Sequence, residues 1–272
     1  MREASLELYD LAALESALAG TVFAGKLHFS PVTDSTNRDA LAAARSAAPN
    51  GSVYFADEQR AGRGRGDHAW VSAAGDGLYA SVLLRTPIPA LRLPLLPLAA
   101  GLAAAEAIRA VAGLAFGHNI DLRWPNDLLI GPRKVGGILV ESKISGASAE
   151  FAIVGIGINV HQRAFDFELS TPATSLDLEC GRSVSRQHLL AVLLKSLESE
   201  ALLLLEPSAG IKILARVGQA STWIRGRRVE VHGPQACTGV TAGLDENGFL
   251  LVRTDIGIVT VQTGGIRSAE IS

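Results

Sequence analysis

The chain has 272 residues, 48% hydrophobic and 19% charged, which is long enough to bury a sizeable core and too apolar for a disordered segment. A formal net charge of −2 leaves no global field for a polyanion, so nucleic acid is not expected as the main partner and any basic site must be local. The only cysteines, Cys180 and Cys237, have neither a Cys-x-x-Cys partner nor zinc spacing, which argues against a disulfide framework and for a reducing compartment.

Residues 1–10 carry Arg2, Glu3, Glu7 and Asp10 and lack the apolar core of a signal peptide. The longest apolar run, residues 93–105, is interrupted by Pro94 and Pro97 and falls short of the ~20 residues that span a bilayer. The expectation is a cytoplasmic protein without membrane contact. Residues 6–18 predict a short amphipathic helix with Leu11, Leu14 and Leu18 on one stripe. About three helices would be needed there for a helix-turn-helix module, and there is no room for them, so no DNA binding is expected.

Residues 26–32 predict a strand, and Thr33-Asp34-Ser35-Thr36-Asn37 then offers several N-caps for a helix over 38–48. Capping alone accounts for those hydroxyls as well as a ligand would. After the turn signal Pro49-Asn50-Gly51, residues 52–56 and 77–85 read as buried strands. Between them lies Glu58-Gln-Arg-Ala-Gly-Arg-Gly-Arg-Gly-Asp-His-Ala-Trp70. Its glycines permit close backbone approach, and Arg60, Arg63 and Arg65 present fixed forks of donors suited to carboxylate or phosphate. A solvated surface loop or an RNA-binding Arg-Gly tract would have the same composition, but two buried flanks favour an anion clamp.

Pro97 predicts the start of a long buried helix to residue 111. Residues 121–141 read as strand, turn and strand, with turns at Pro125-Asn126-Asp127 and Gly131-Pro132 and a strand from Lys134 to Glu141. A further strand over 151–160 contains Gly155 and Gly157, the mark of close approach by a ligand or another backbone. Residues 165–178 are loop-like; Ser185 caps a helix over 186–205, and Pro207 begins a short one to 220. Strands over 228–232, 237–244, 248–253 and 258–263 follow, with a turn at Asp245 to Gly248. The fold expected is α+β, a mixed or antiparallel sheet with helices over residues 1–220, followed by a small β-barrel over 221–272.

Four polar clusters fall at strand ends or loops: Ser35-Thr36-Asn37, Gln59 with Arg63 and Arg65, Arg123 to Asp127, and Lys134 before Gly136-Gly137. Such a pocket gathers negative charge and suits a reaction that brings a carboxylate to a nucleotide phosphate. No Walker loop, Rossmann fingerprint or nucleophilic triad is present. His118 and His161 read as loop or core residues rather than bases.

These motifs resemble the biotin protein ligases. Gln59 to Trp70 is similar to their Gly-Arg-Gly-Arg loop, Arg123-Trp-Pro-Asn-Asp127 to their Lys-Trp-Pro-Asn-Asp box, and Lys134-Val-Gly-Gly-Ile-Leu-Val-Glu141 to their Lys-x-x-Gly-Ile-Leu segment; Asp34-Ser-Thr-Asn37 and Gly155-Ile-Gly-Ile-Asn159-Val160 resemble two further signatures. The resemblance implies a class II synthetase-like catalytic domain and a C-terminal SH3-like barrel. It also implies two half-reactions: biotin and ATP with Mg²⁺ give biotinyl-5′-adenylate, and a lysine of the biotin carboxyl carrier domain of acetyl-CoA carboxylase takes the acyl group.

By the same resemblance, Ser35, Thr36, Asn37 and Gln59 bind the ureido head, with Gly136 also at biotin, and Arg63, Gly64 and Arg65 wrap the carboxylate and phosphates. Trp70 stacks on adenine, Asn126 and Asp127 orient the phosphates or a nearby Mg²⁺, Asn159 contacts the nucleotide, and Lys134 bridges the carboxylate and α-phosphate. Lys134, Arg65 and Arg63 form the catalytic set. Two departures stand out: Gly66-Asp67-His68 replaces further arginine in the loop, and Arg123 stands where lysine is usual. The competing readings are a lipoate ligase, whose fold is related, and a nucleic-acid-binding module using the Arg-Gly loop. A monomer and a homodimer are equally compatible with the sequence.

Overall fold

The computed structural model describes residues 9–66, 68–113, 120–166 and 170–269. Its main sheet begins with a parallel pair: β1 (Leu27–Thr33) lies beside β2 (Val53–Gln59), and α2 (Thr36–Arg45) makes the crossover that a parallel connection requires. All the other pairings are antiparallel. β3 (Gly77–Leu84), β4 (Ile120–Arg123), β5 (Asp127–Ile130), β6 (Arg133–Ser145) and β7 (Ser148–Asn159) complete the order β1-β2-β3-β7-β6-β5-β4. The sheet is therefore mixed, as the α+β reading expects.

All eight positions of β3 are buried, so both faces of the central sheet are covered. On one face Leu83, Phe151 and Ile153 pack with Ala40 and Ala44 of α2. On the other, Val82, Leu84 and Val154 join the main core with α3 (Leu96–Ala112), α5 (Arg186–Leu203) and α1 (Leu11–Ala17). Because strand side chains alternate, Ser81, Gly155 and Gly157 share the α2 face with Leu83 and Ile153. Small residues thus succeed large ones along that face, which leaves room for a cavity.

Helix α3 starts with Pro97 in its first turn and ends at Gly113 in the left-handed region. The helical run from Ala90 to Ala112 exceeds the apolar stretch expected from the sequence and is long and apolar enough to cross a bilayer. It is instead mostly buried within the protein, packed between the sheet and α5, as an apolar-all-round core helix should be. In α1, capped by Asp10, Leu14 and Leu18 are buried but Leu11 faces outward; residues 6–8 of the expected helix lie outside the described residues. A short helix, α4 (Leu176–Cys180), capped by Ser175, interrupts the expected loop.

After α6 (Ala209–Ala220) come β8 (Arg225–His232), β9 (Cys237–Leu244), β10 (Leu250–Thr254), β11 (Gly257–Val261) and β12 (Gly265–Ser268), an antiparallel sheet in the order β11-β10-β9-β8-β12. The fifth strand was not expected, since four glycine-led residues with a single apolar side chain carry almost no alternation signal. Val229, Val231, Leu250, Val252, Val261 and Ile266 run into the same core as the main sheet. Trp124 joins the two by donating its indole N–H to the Gly248 carbonyl at 3.0 Å.

Candidate active site

A cavity of about 850 Å³ opens on the α2 face, near the upper end of the range for small-molecule sites. Its floor is made where α2 begins. Ser35 occupies the N-cap without a capping side-chain bond, so the capping explanation of its hydroxyl does not hold. The Thr36 N–H donates to Gln59 Oε1 at 2.9 Å, and Thr36 Oγ1 lies 2.8 Å from Ser81 Oγ. Ser81 Oγ donates to Asn37 Oδ1 at 2.6 Å, and Asn37 Nδ2 donates to Glu141 Oε2 at 3.0 Å. A Cβ on Gly155 would stand 2.0 Å from Asn37 Oδ1, which is why that position must be glycine for the amide to lie there.

The Arg-Gly loop forms the opposite wall, laced by backbone. Gln59 N–H donates to Ser72 O at 3.0 Å, Trp70 N–H to Gly62 O at 2.9 Å, and Gly64 N–H to His68 O at 2.7 Å. Asp67 lies outside the described residues. The Trp70 indole rests against the backbone of Gly157 and Gly137, where Cβ atoms would come within 2.6 and 3.3 Å of its ring. Its Nε1 is buried with no hydrogen-bond partner among the described residues.

The cations meet in this space. Arg63 Nη1 lies 3.1 Å from Glu141 Oε1, and Arg65 donates to the Gly264 carbonyl at the start of the β12 region. Burial draws the Arg65 guanidinium below its ordinary pKa, with the Asp127 charge opposing. Lys134 Nζ lies 2.5 Å from Asp127 Oδ1 and 5.3 Å from the centre of the Trp70 ring. The Arg123 guanidinium holds Asp127 Oδ2 at 2.6 Å through Nη2 and 3.1 Å through Nε, a two-pronged grip that lysine could not make. Burial alone would raise the Asp127 pKa, but the charges and hydrogen bonds of Lys134 and Arg123 outweigh it and hold the carboxyl below the usual range.

Of the residues singled out from the sequence, Ser35, Thr36, Asn37, Gln59, Arg63, Gly64, Arg65, Trp70, Asn126, Asp127, Lys134 and Asn159 all line this cavity. Gly136 does not. It sits within the sheet, where a Cβ would meet Gly157 O and Leu128 Cδ1, each at 2.9 Å, and its neighbour Gly137 faces the cavity because alternate strand residues point to opposite sides. Asn126 and Asn159 are engaged with backbone, donating to Ile138 O at 2.7 Å and Thr174 O at 3.0 Å. His161 pairs with Asp177 at 2.8 Å, and His118 is outside the described residues.

A model of the biotin/lipoate A/B protein ligase family matches residues 29–159. The bifunctional ligase/repressor BirA of Bacillus spizizenii is 35% identical over 246 residues, covering 88% of this chain and 73% of that protein. A biotin--[acetyl-CoA-carboxylase] ligase of Mycobacterium tuberculosis is 33% identical, covering 86% of this chain and 85% of its own length. This chain belongs to the biotin protein ligase family. Among solved structures, the biotin protein ligase of Aquifex aeolicus in complex with biotin and ATP superposes with a TM-score of 0.75 at 30% identity, covering 89% of this chain and 98% of that one.

The family match ends at Asn159, so it spans the floor, the loop and Lys134 but not the third wall. That wall comes from the C-terminal sheet: His232, Gly233, Gly264 and Arg267 also line the cavity. Nothing in their local sequence marks them, because glycine and isolated cations are ordinary in β-turns. Ser81 and Glu141 were legible in principle, one as the polar residue in an otherwise apolar strand, the other as the first charge after an apolar run.

Proposed function

We propose that this protein is an ATP-dependent biotin ligase that makes biotinyl-5′-adenylate in the cavity and passes the biotinyl group to a lysine of a biotin carboxyl carrier domain. In the first step a biotin carboxylate oxygen bonds to the α-phosphorus of ATP and the bond to pyrophosphate breaks. In the second, the lysine amine attacks the acyl carbon, AMP leaves with the bridging oxygen, and the amine loses a proton.

The observation that carries this reading is that Arg63, Arg65 and Lys134 converge on one cavity with a floor of neutral polar groups. A neutral cyclic urea needs fixed donors and acceptors, which Ser35, Thr36, Asn37 and Gln59 supply. Two anions forced together need cations at the point where charge develops, supplied by Lys134 and Arg65. Trp70 stacks on the adenine, and Asn159 borders the nucleotide. Asp127 orients Lys134 rather than holding a metal, since both its oxygens are already engaged by cations. No trio of His, Cys, Asp or Glu suited to a metal occurs among the described residues; Mg²⁺ accompanying ATP would supply charge neutralisation at the phosphates.

Residues 1–220 act as the catalytic unit, and residues 221–272, as an SH3-like barrel, close the cavity from one side. The reaction belongs in the cytoplasm, where ATP and the carrier are at hand. The relatives are biotin ligases at 33–35% identity, which favours biotin over lipoate as the acid activated. Incubation with ATP, Mg²⁺ and biotin should release pyrophosphate only when biotin is present, and adding a carrier domain should yield one biotinylated lysine. Pyrophosphate release that depends on lipoate and ignores biotin would reverse the assignment.

A further inference from the structure

Arg123 occupies the position where lysine is usual, and the fold gives that exchange a partner in Trp223. We infer that Trp223, in the segment between α6 and β8, is a positioning residue for the reaction: its ring sets the plane of the Arg123 guanidinium, which orients Asp127 and through it Lys134. The inference rests on the biotin-ligase reading and extends it to a residue that does not line the cavity.

An arginine has two kinds of surface, a rim of in-plane donors and two weakly hydrated faces. The rim of Arg123 is turned to the reaction centre. Nε and Nη2 donate to Asp127 Oδ2 at 3.1 and 2.6 Å, and Nη2 also donates to Thr171 Oγ1 at 3.1 Å. Both bonds to Asp127 end on one oxygen, so they fix a point rather than a plane, and the Thr171 bond shares Nη2. The freedom left is a tilt of the guanidinium. The Trp223 ring removes it, with Arg123 Cζ lying over that ring 5.2 Å from its centre.

The consequence reaches Lys134. Asp127 faces Arg123 across the β4–β5 ladder, and its other oxygen, Oδ1, holds Lys134 Nζ at 2.5 Å. Two cations on one carboxylate leave the group with surplus positive charge, so Lys134 is not neutralised by Asp127 and can act on an arriving anion. A tilted Arg123 would leave Asp127 to Lys134 alone.

The ring is itself fixed from two sides. Ser221 Oγ donates to Leu122 O at 2.5 Å, and Thr222 donates through its backbone N–H and its Oγ1 to Asp121 Oδ1 and Oδ2 at 2.9 and 2.5 Å, so residues 221–223 are registered against the end of β4. From β8, the Arg227 guanidinium lies over the same ring with Cζ 3.7 Å from its centre, and its Nη2 and Nε donate to Ser268 Oγ at 3.0 and 3.3 Å. Trp223 and Arg123 are both buried, so solvent screens their contact little. A lysine at position 123 would offer a point charge with no plane for the ring to set.

The test is a double-mutant cycle on the full chain, read as the single-turnover rate of pyrophosphate release at saturating biotin, ATP and Mg²⁺. Trp223→Leu should slow that step about tenfold, the scale of one desolvated cation–ring contact, while biotin affinity by calorimetry stays within about twofold of wild type. Trp223→Phe, near leucine in volume but with a ring face, should recover to within about threefold of wild type. Arg123→Lys should itself be slower, and adding Trp223→Leu to it should change the rate by less than about twofold.

Equal slowing by Trp223→Leu in the two backgrounds would overturn the inference, since a merely structural role does not depend on what stands at position 123. So would equal slowing by Trp223→Phe and Trp223→Leu, or a biotin affinity that falls with the rate. Should Trp223→Leu not fold, Arg227→Ala decides by the same cycle, with about threefold slowing expected beside Arg123 and none in the Arg123→Lys background. Wild type that releases no pyrophosphate in response to biotin would remove the ligase reading and this role together, whereas release with an additive cycle would remove this role alone.

Discussion

Thr36 and Arg65 face the same cavity from walls built in different ways. Around Thr36 the side chains interlock: Thr36 bonds to Gln59 and Ser81, Ser81 to Asn37 and Asn37 to Glu141, and Thr36, Asn37 and Ser81 are buried. Around Arg65 the bonds are made by backbone, and the arginine tips rest on a single carboxylate or carbonyl. A neutral head group gains little from charge and is recognised by a pattern formed before it arrives. An anionic reaction centre gains from cations that can be drawn in, and their contacts to Glu141 and Gly264 can be exchanged for contacts to the ligand. On the proposed reading, one wall serves recognition and the other capture.

The largest expected effect tests the cationic side. Lys134→Ala removes the ammonium group held by Asp127 and should lower biotin-dependent pyrophosphate release by on the order of 10²- to 10³-fold, while Arg123 keeps Asp127 paired and the fold intact. Unchanged release would show that the charge stabilisation lies elsewhere.

Two neighbouring glycines test the contrast itself. In Gly155→Ala the new methyl meets Asn37 Oδ1, locked in the floor, so biotin binding should be lost and stability should fall by about 1–3 kcal/mol. In Gly157→Ala it meets the Trp70 indole on the loop, which can swing away, so the stability cost should stay below about 1 kcal/mol while nucleotide affinity drops. Calorimetry and titration of both variants check this; equal costs would mean the loop is as fixed as the floor.

A smaller effect is expected from Arg65→Gly, which frees the loop from the Gly264 carbonyl and from its anion. Adenylate should escape and label exposed lysines, raising off-target biotinylation by about tenfold against a carrier-free protein, in keeping with the loss of one charged hydrogen bond. A variant as selective as wild type would contradict the capture role.

The smallest is a pH effect. Asp127 has a depressed folded-state pKa, so the stability it contributes is fully present above the unfolded-state value of about 3.9 and is lost as pH falls through the lower folded value. The fall in urea midpoint from pH 7 to pH 3 should therefore be shallower in Asp127→Asn than in wild type. Parallel curves would mean that Arg123 and Lys134 do not hold that carboxylate in solution.

Much of this was legible along the chain. The strands flanking the Arg-Gly loop, the helix after Ser35 and the helix after Ser185 show strong periodicity or caps, and each forms within a few residues of its expected bounds. The strand β12 was not legible, since four residues are too short to show a period. In the sequence Gly136-Gly137 reads as one unit, and only the pleat separates the glycine within the sheet from the one facing the cavity.

What the sequence by itself determined is the set of chemical groups: charged forks on a glycine-rich loop, a lysine beside paired glycines, and hydroxyls at a helix start, all of which are properties of side chains and local backbone. The tertiary structure alone decided which of those groups meet. Glu141 comes to Asn37 across 104 residues, and Gly264 to Arg65 across 199. Strand order and register set such pairings, and they depend on how the whole core packs rather than on any stretch that could be read alone.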